Sequence, residues 1–452
     1  MRAKSLPPGL DRIDPAARDL YVRDLAAVAG IEKLRFFPVA LESGSGCKLF
    51  EVGGRELLDL TATWTAVGLG HGHPRIVEAI AKAAQNPPGA GGLSAVHADS
   101  VGLAEDLLEL VPGSGDRRVY LGHAGSDACD VAIRAVRIAT GKKRIIGFHH
   151  SYHGGIGVAM ANSGVFVESG GVVPDPNTTF VDYPNPYRPP GHEPSPAEAA
   201  LSASLSQVET ALGNGDVAAV MCEPILADGG MVVPPAGFLA RLAELCLRFD
   251  TLLVCDEVKV GLGRPGMMHA FQLDGVSPDL VCFGKVLGNG LPLSATVGPA
   301  EVLDGPAASA LLTTAGNPIC TAVGRTVLKV LQEEGLPERA RRAGERLRTG
   351  LAELHNGRVG DIRGHGLANG VELVTDAESR TADPRLAAAT VYRAFELGVV
   401  MYYVGGNVLE ITPPLVISDA EVDRAVEIVG EAIDDAAAGK VPADVVAAYA
   451  GW

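Results

Sequence analysis

The chain reads as an α/β protein, with a mostly parallel central sheet flanked by helices and a smaller α+β domain after it. Two observations predict this. Through the middle of the chain, short runs that are apolar on both faces alternate with segments of helical period, as strands covered by helices on each side must. From about residue 320 the texture changes to long helical stretches followed by short strand-like pieces.

Taken in order, the candidate strands are "RVYLGH" (118–123), "RIIGFHH" (144–150), "VAAVMCEP" (217–224), "TLLVCDE" (251–257), "LVCFGK" (280–285) and "SATVGP" (294–299). Between them, "DACDVAIRAVRIAT" (127–140) and "AGFLARLAELCLRF" (236–249) repeat apolar residues at helical spacing. The stretch 165–200, which includes "VDYPNPYRPPGHEPSP", is rich in Pro, Ser and Asn and reads as a long surface loop. Beyond it, "ICTAVGRTVLKVLQEEG" and "ERARRAGERLRTGLAELHNG" are helical, while "GDIRGHGLANGVELV" and "GVVMYYVGGNVLEIT" are strand-like. The expected division is an N-terminal segment, 1–65, contributing to the small domain, a large domain, 66–320, and a small α+β domain, 321–452.

With 452 residues, 47% of them hydrophobic, the chain can bury a large core in two domains. The 38 basic and 54 acidic residues leave a net charge of −16, a surface that repels phosphate backbones, so nucleic acid is not an expected partner. The seven cysteines are scattered and form no C-x-x-C pair. They read as reduced, buried thiols of a cytoplasmic protein. "MRAKSLPPGLDRIDPAARDL" has no apolar centre that would serve as a signal peptide, and no run is long enough for a membrane span.

In sheets of this kind the ligand sits beyond the carboxyl ends of the strands. The polar residues at those ends are His123, His149, Glu223, Asp256 and Lys285. Gly125 and Ser126 precede a helix, whose free N–H groups and dipole suit an anion; a plain N-cap at Ser126 is the alternative. "GLGRPG" (261–266) matches G-x-G-x-x-G, but it follows the strand at a distance and contains Pro265, the wrong context for a dinucleotide site. "HHSYHGG" (149–155) has no partner set with metal-ligand spacing, so no metal is expected. Its Tyr152 offers an aromatic face to a flat ligand, and a loop of hydrogen-bonded histidines is the plain alternative. Asp256 is either a loop-capping carboxylate or the holder of a ligand's positive charge. Lys285, in a Gly-rich turn, suits a Schiff-base lysine. A phosphate nest, an acid and a strand-end lysine together point to pyridoxal 5'-phosphate.

"GSDA", "SYHGG", "EPILADGG", "DEVKVGLGRPG", "SPDLVCFGKVLGNGLPLSA" and "TTAGNP" together resemble the class III aminotransferase family of fold-type I pyridoxal phosphate enzymes. The resemblance runs from about residue 35 to the C-terminus. It implies a homodimer with shared active sites, Lys285 as the Schiff-base lysine and Asp256 on the pyridine nitrogen. It also implies Gly125 and Ser126 on the phosphate, Tyr152 stacked on the ring, Val258 beside the cofactor, and Thr313 reaching the phosphate of the other subunit.

Two positions depart from the aminotransferase pattern. Glu410, in "NVLEITPPL", stands where those enzymes usually carry a carboxylate-binding arginine, and Lys259, in "DEVKVG", where they usually carry a glutamine. Reversing the charge at the first position disfavours an α-carboxylate there. Both departures are similar to the racemases of α-amino-ε-caprolactam and α-amino acid amides within this superfamily. So are "KLRFFPVAL", "GRELLDLTATWTAVGLGHGHP", "VDYPNPYRPP", "YYVGGNVLEITPPL" and the terminal "AGW". That resemblance implies two proton-transfer groups on opposite faces of the substrate, Lys259 and Asp228, and a pocket lined by Trp64, Tyr152 and Glu410. Ala124 and Cys129 replace an expected serine and asparagine, and "YYVGGNV" is two residues shorter than its counterpart, which bears on substrate size. An aminotransferase acting on an amine or ω-amino acid is the alternative activity. A non-catalytic binding protein is disfavoured by the intact Lys285 and Asp256.

Overall fold

A computed structural model describes residues 7–191, 195–354 and 357–449. The terminal "AGW" lies outside them. Three short strands, β1 (Leu41–Ser45), β2 (Lys48–Glu51) and β3 (Glu56–Asp59), form an antiparallel meander. Seven strands then build the central sheet: β4 (Arg117–Gly122), β5 (Arg144–Phe148), β6 (Thr178–Val181), β7 (Val217–Cys222), β8 (Leu252–Asp256), β9 (Leu280–Phe283) and β10 (Ser294–Pro299). Their order is β4-β10-β9-β8-β7-β5-β6, and β10 alone runs against the rest.

Alternate residues of the central strands feed two separate cores, which is why these runs are apolar throughout. Met221, Val254 and Cys282 pack with Ala128, Ala132 and Val136 of the helix Gly125–Thr140. Val220, Cys222, Leu253, Cys255, Val281 and Phe283 face the other side, with Leu239 and Leu242 of the helix Phe238–Arg248. The sheet is therefore the doubly covered, mostly parallel sheet expected. None of the seven cysteines is paired, and six are buried. Among the described residues no helix is long and apolar enough to cross a membrane.

The stretch 165–200 is not one long loop. It holds the end of the helix Gly164–Glu168, strand β6, and the start of the helix Pro196–Leu212. Strand β6 is an edge strand on which Val181 alone is buried, so its four residues carry little apolar signal among the surrounding prolines.

The C-terminal part contributes β11 (Val359–His365), β12 (Ala368–Leu373), β13 (Val399–Val400), β14 (Tyr402–Val404) and β15 (Val408–Ile411). Four of these form an antiparallel sheet, β11-β12-β15-β14, while β13 pairs in parallel with β3. Just past β15, Thr412 N–H donates to Leu60 O (2.7 Å) and Leu415 N–H to Gly68 O (2.8 Å). The segment after β3 is thus threaded alongside the strand that carries Glu410.

Candidate active site

Strands β4, β7, β8 and β9 end on the same side of the sheet. Beyond those ends lies a cavity of about 420 Å³, whose wall includes His123, Glu223, Asp256 and Lys285. His149 is not in it. Strand β5 stops at Phe148, and the chain turns so that His149 Nδ1 meets Glu168 Oε1 at 2.9 Å on the exposed side.

One end of the cavity is the start of the helix Gly125–Thr140, with Gly125 and Ser126 in the wall. Ser126 is inside the helix rather than its cap; its Oγ accepts from Gly155 N–H (3.1 Å). Asp127 does the capping, accepting from the N–H groups of His123 (2.8 Å) and Ala124 (3.2 Å). A Cβ on Gly125 would stand 2.4 Å from Val258 Cγ1, so the residue is small because the loop after β8 crosses directly over it. The first two residues of the helix, Gly125 and Ser126, thus border the cavity with Val258 packed beside them.

Asp256 closes strand β8. Its Oδ1 accepts from Val258 N–H (3.0 Å), while its Oδ2 meets His153 Nδ1 at 2.8 Å and accepts from Cys129 Sγ–H at 3.3 Å. Burial would lower the His153 pKa, but its contact with Asp256 outweighs this and raises it. Burial holds Cys129 far up as a thiol. The three groups are potential metal ligands lying together, but the thiolate is the binding form of cysteine, and these bonds use the thiol as a donor. Its neighbour Glu257 turns the other way and accepts from Ala270 and Phe271 N–H (2.9 and 2.8 Å). Burial pushes its carboxyl up to about 8. Glu223 is likewise pushed up by burial, to about 7, and receives the N–H groups of Tyr152 (2.9 Å) and Ala227 (3.1 Å). Burial pushes the Tyr152 hydroxyl up to about 12.

Lys285 opens a one-turn helix after β9 with φ of +44°, a strained value for a lysine. Desolvation first, and then the charge of Lys259, lower its pKa. Lys259 itself is 5% exposed, and its Nζ donates to Asp228 Oδ1 (2.7 Å) and Glu410 Oε2 (2.8 Å). Burial alone would lower its pKa, but the two carboxylates outweigh this and hold the ammonium well above the usual lysine range. Asp228 responds in the opposite sense: burial would raise it, and the charges of Lys259 and Lys285 bring it down. These residues lie 31 and 151 positions from Lys259, on three separate parts of the chain.

This geometry corrects one expectation. Groups on opposite faces of one carbon, each about 3 Å from it, must stand roughly 6 Å apart. Asp228 and Lys259 share a hydrogen bond of 2.7 Å instead, so as arranged they form one unit. Trp64 stands over that unit, its ring centroid 5.0 Å from Lys259 Nζ, and stacks on Tyr402 at 4.5 Å. Thr313 is exposed and does not line the cavity of its own chain; its neighbour Thr314 hydrogen-bonds His123 Nε2 at 2.9 Å.

The apparent nucleotide motif opens no helix. Its Arg264 is fully buried and donates to the carbonyls of Leu367 (3.0 Å) and Pro413 (2.9 Å). Arg264, His153, Tyr402 and Asp59 escaped the sequence reading. Each lies in a stretch quoted above, but none of those stretches marks which of its residues is buried and bonded.

The donor set fits pyridoxal phosphate: a lysine with lowered pKa in the cavity, a helix start that opens with a glycine at the cavity wall, and a carboxylate backed by a histidine. Comparison with known proteins agrees. The family model described as aminotransferase class III matches residues 31–433. The chain is similar to an alanine/serine racemase of Pyrococcus horikoshii, at 34% identity over 97% of this chain and 94% of that one. It is also similar to an isoleucine 2-epimerase of Lentilactobacillus buchneri, at 33% identity over 93% and 95%. The solved ω-transaminase of Pseudomonas jessenii in complex with PMP superposes with a TM-score of 0.83 at 30% identity, covering 89% of this chain and 93% of that one. The chain belongs to the class III aminotransferase family, and is a fold-type I, pyridoxal phosphate-dependent enzyme.

Proposed function

We propose that the protein racemises α-amino acid derivatives whose carboxyl group is neutral, such as α-amino acid amides and α-amino-ε-caprolactam. One observation carries this reading: Lys259 is fully committed between Asp228 and Glu410. The unit is one cation between two anions, and no arginine lines the cavity among the described residues. A substrate carboxylate would meet net negative charge and no free guanidinium, whereas a neutral amide escapes that repulsion. Relatives that racemise or epimerise amino acids support the reaction type.

When bound, the cofactor supplies the electron sink that acidifies the Cα–H bond. The helix start at Gly125 and Ser126 would hold its phosphate, Asp256 its ring nitrogen, Tyr152 and Val258 its faces. The partner subunit's Thr313 would reach the phosphate in a homodimer. Lys285 would hold the cofactor and, as a free amine, would serve one face of Cα. The Asp228–Lys259 unit would serve the other, with Asp228 as base and the Lys259 ammonium as acid. Trp64 and Tyr152 would bound the substrate.

The test is direct. In D₂O, one enantiomer of an amino acid amide should exchange its α-hydrogen as it racemises, with no 2-oxo acid present. Lys259→Ala should lower that rate by about 10²–10⁴-fold while the cofactor's visible absorbance persists. A Lys259→Ala enzyme that racemises normally overturns the role given to the unit. The second reading, an aminotransferase for an amine or ω-amino acid, shares every cofactor contact and has relatives of its own. It requires a 2-oxo acid to be consumed.

A further inference from the structure

Between β3 and the helix beginning at Pro74, the chain makes a left-handed turn that no glycine eases. Ala62, Thr63, Trp64 and Thr65 have φ of +46°, +53°, +57° and +66°, and two of the four are β-branched. Such a run persists only where its surroundings over-determine it. One carboxylate does most of that. Asp59 is fully buried, and its Oδ1 accepts from Thr61 N–H (2.8 Å), the Thr61 hydroxyl (2.7 Å) and Ala62 N–H (3.0 Å). Its Oδ2 meets His71 Nε2 at 2.8 Å. His71 is fixed in turn: its backbone exchanges two hydrogen bonds with Gly46, of 2.8 and 2.9 Å. Gly44 lacks a Cβ that would stand 2.8 Å from the His71 ring.

What the turn presents is aimed twice at one residue. The Thr65 hydroxyl donates to the Lys259 carbonyl (3.3 Å), and the Trp64 indole lies over the Lys259 ammonium. An indole face favours the charged, oriented form of that ammonium.

We infer that Asp59 and His71 are positioning residues, which hold the left-handed turn so that Trp64 and Thr65 keep Lys259 seated between Asp228 and Glu410. Its bearing on catalysis rests on the proton-transfer role proposed for Lys259, while the positioning itself has its own readout. The chain has two tryptophans, Trp64 and Trp452, so in a Trp452→Phe background the emission reports Trp64 alone. Asp59→Ala should shift that emission to longer wavelength and lower racemisation about tenfold or more, with its alkaline pH limb displaced. Asp59→Asn keeps the Oδ1 acceptor and should retain the emission and a rate within about threefold. Adding Thr63→Gly, at an exposed position, removes the cost of one positive φ and should move the Asp59→Ala emission back. If Asp59→Ala does not fold, Gly44→Ala displaces His71 without touching Asp59 and should give a smaller shift of the same sign. Unchanged emission in whichever of these two variants folds, or no recovery with Thr63→Gly, overturns the inference. An emission that responds in an enzyme showing no α-hydrogen exchange leaves the clamp standing and removes the racemase reading instead.

Discussion

Glu410 shows how one side chain sets the state of another. Its carboxylate and that of Asp228 together overcome the desolvation that would otherwise neutralise Lys259. Glu410→Gln removes one of the two anions, so the Lys259 ammonium loses its proton at lower pH. On the proposed racemase reading, the alkaline limb of the pH profile should then move down by about one to two pH units. The same profile in the Asp256→Asn enzyme should keep its alkaline limb, because Asp256 does not hydrogen-bond Lys259. Lys285 is shifted the other way, by desolvation and then by the charge of Lys259. Two lysines in one cavity are thereby made unlike: one kept protonated, the other eased towards a free amine.

At the scale of the element, the start of the helix Gly125–Thr140 works by what it omits. The space a Cβ would need at Gly125 is taken by Val258, and Asp127 reaches back to cap the turn. Gly125→Ala forces the helix start and the loop after β8 apart. Cofactor affinity should weaken by about tenfold, or about 1.4 kcal/mol, in an absorbance titration of the apoenzyme. A secondary-structure spectrum identical to that of the unsubstituted protein would confine the effect to the site. The left-handed turn Ala62–Thr65 is the opposite case, an element that stores strain. At roughly 1–2 kcal/mol for each of its four residues, it costs several kcal/mol, offset by the hydrogen bonds of Asp59 and by the packing of Trp64 on Tyr402.

Across the whole molecule, buried carboxyls give stability a pH dependence. The folded-state pKa of Glu257 lies near 8, above its ordinary value of 4.5, so folding favours its protonated form. That contribution is present below the ordinary value and is lost as the pH rises towards 8. Glu223, at about 7, acts in the same direction. Asp228, whose pKa is lowered, contributes above its ordinary 3.8 and loses that contribution only in acid. The melting temperature should therefore fall as the pH is raised from about 5 to 8, and Glu257→Gln should reduce that fall by about half. A melting temperature that rises over this range would contradict the burial assigned to both groups.

What the sequence determined by itself is local. Period and apolar content marked six of the seven central strands, because a strand buried on both faces must be apolar along its length. Asp256 and Lys285 were legible since each follows such a run directly, and the end of a parallel strand is where ligands gather. Strand β6 was missed because an edge strand with one buried residue has no such signature. Glu410 and Lys259 stood out as unusual residues, but their partnership, with Asp228 as the third member, joins three distant parts of the chain. No spacing records that. The same holds for the positive φ of Ala62–Thr65, since neither threonine nor tryptophan advertises a conformation it would avoid unaided. Tertiary structure decided these because burial removes water as the competing partner, and only then do distant charges and strained backbones become fixed to one another.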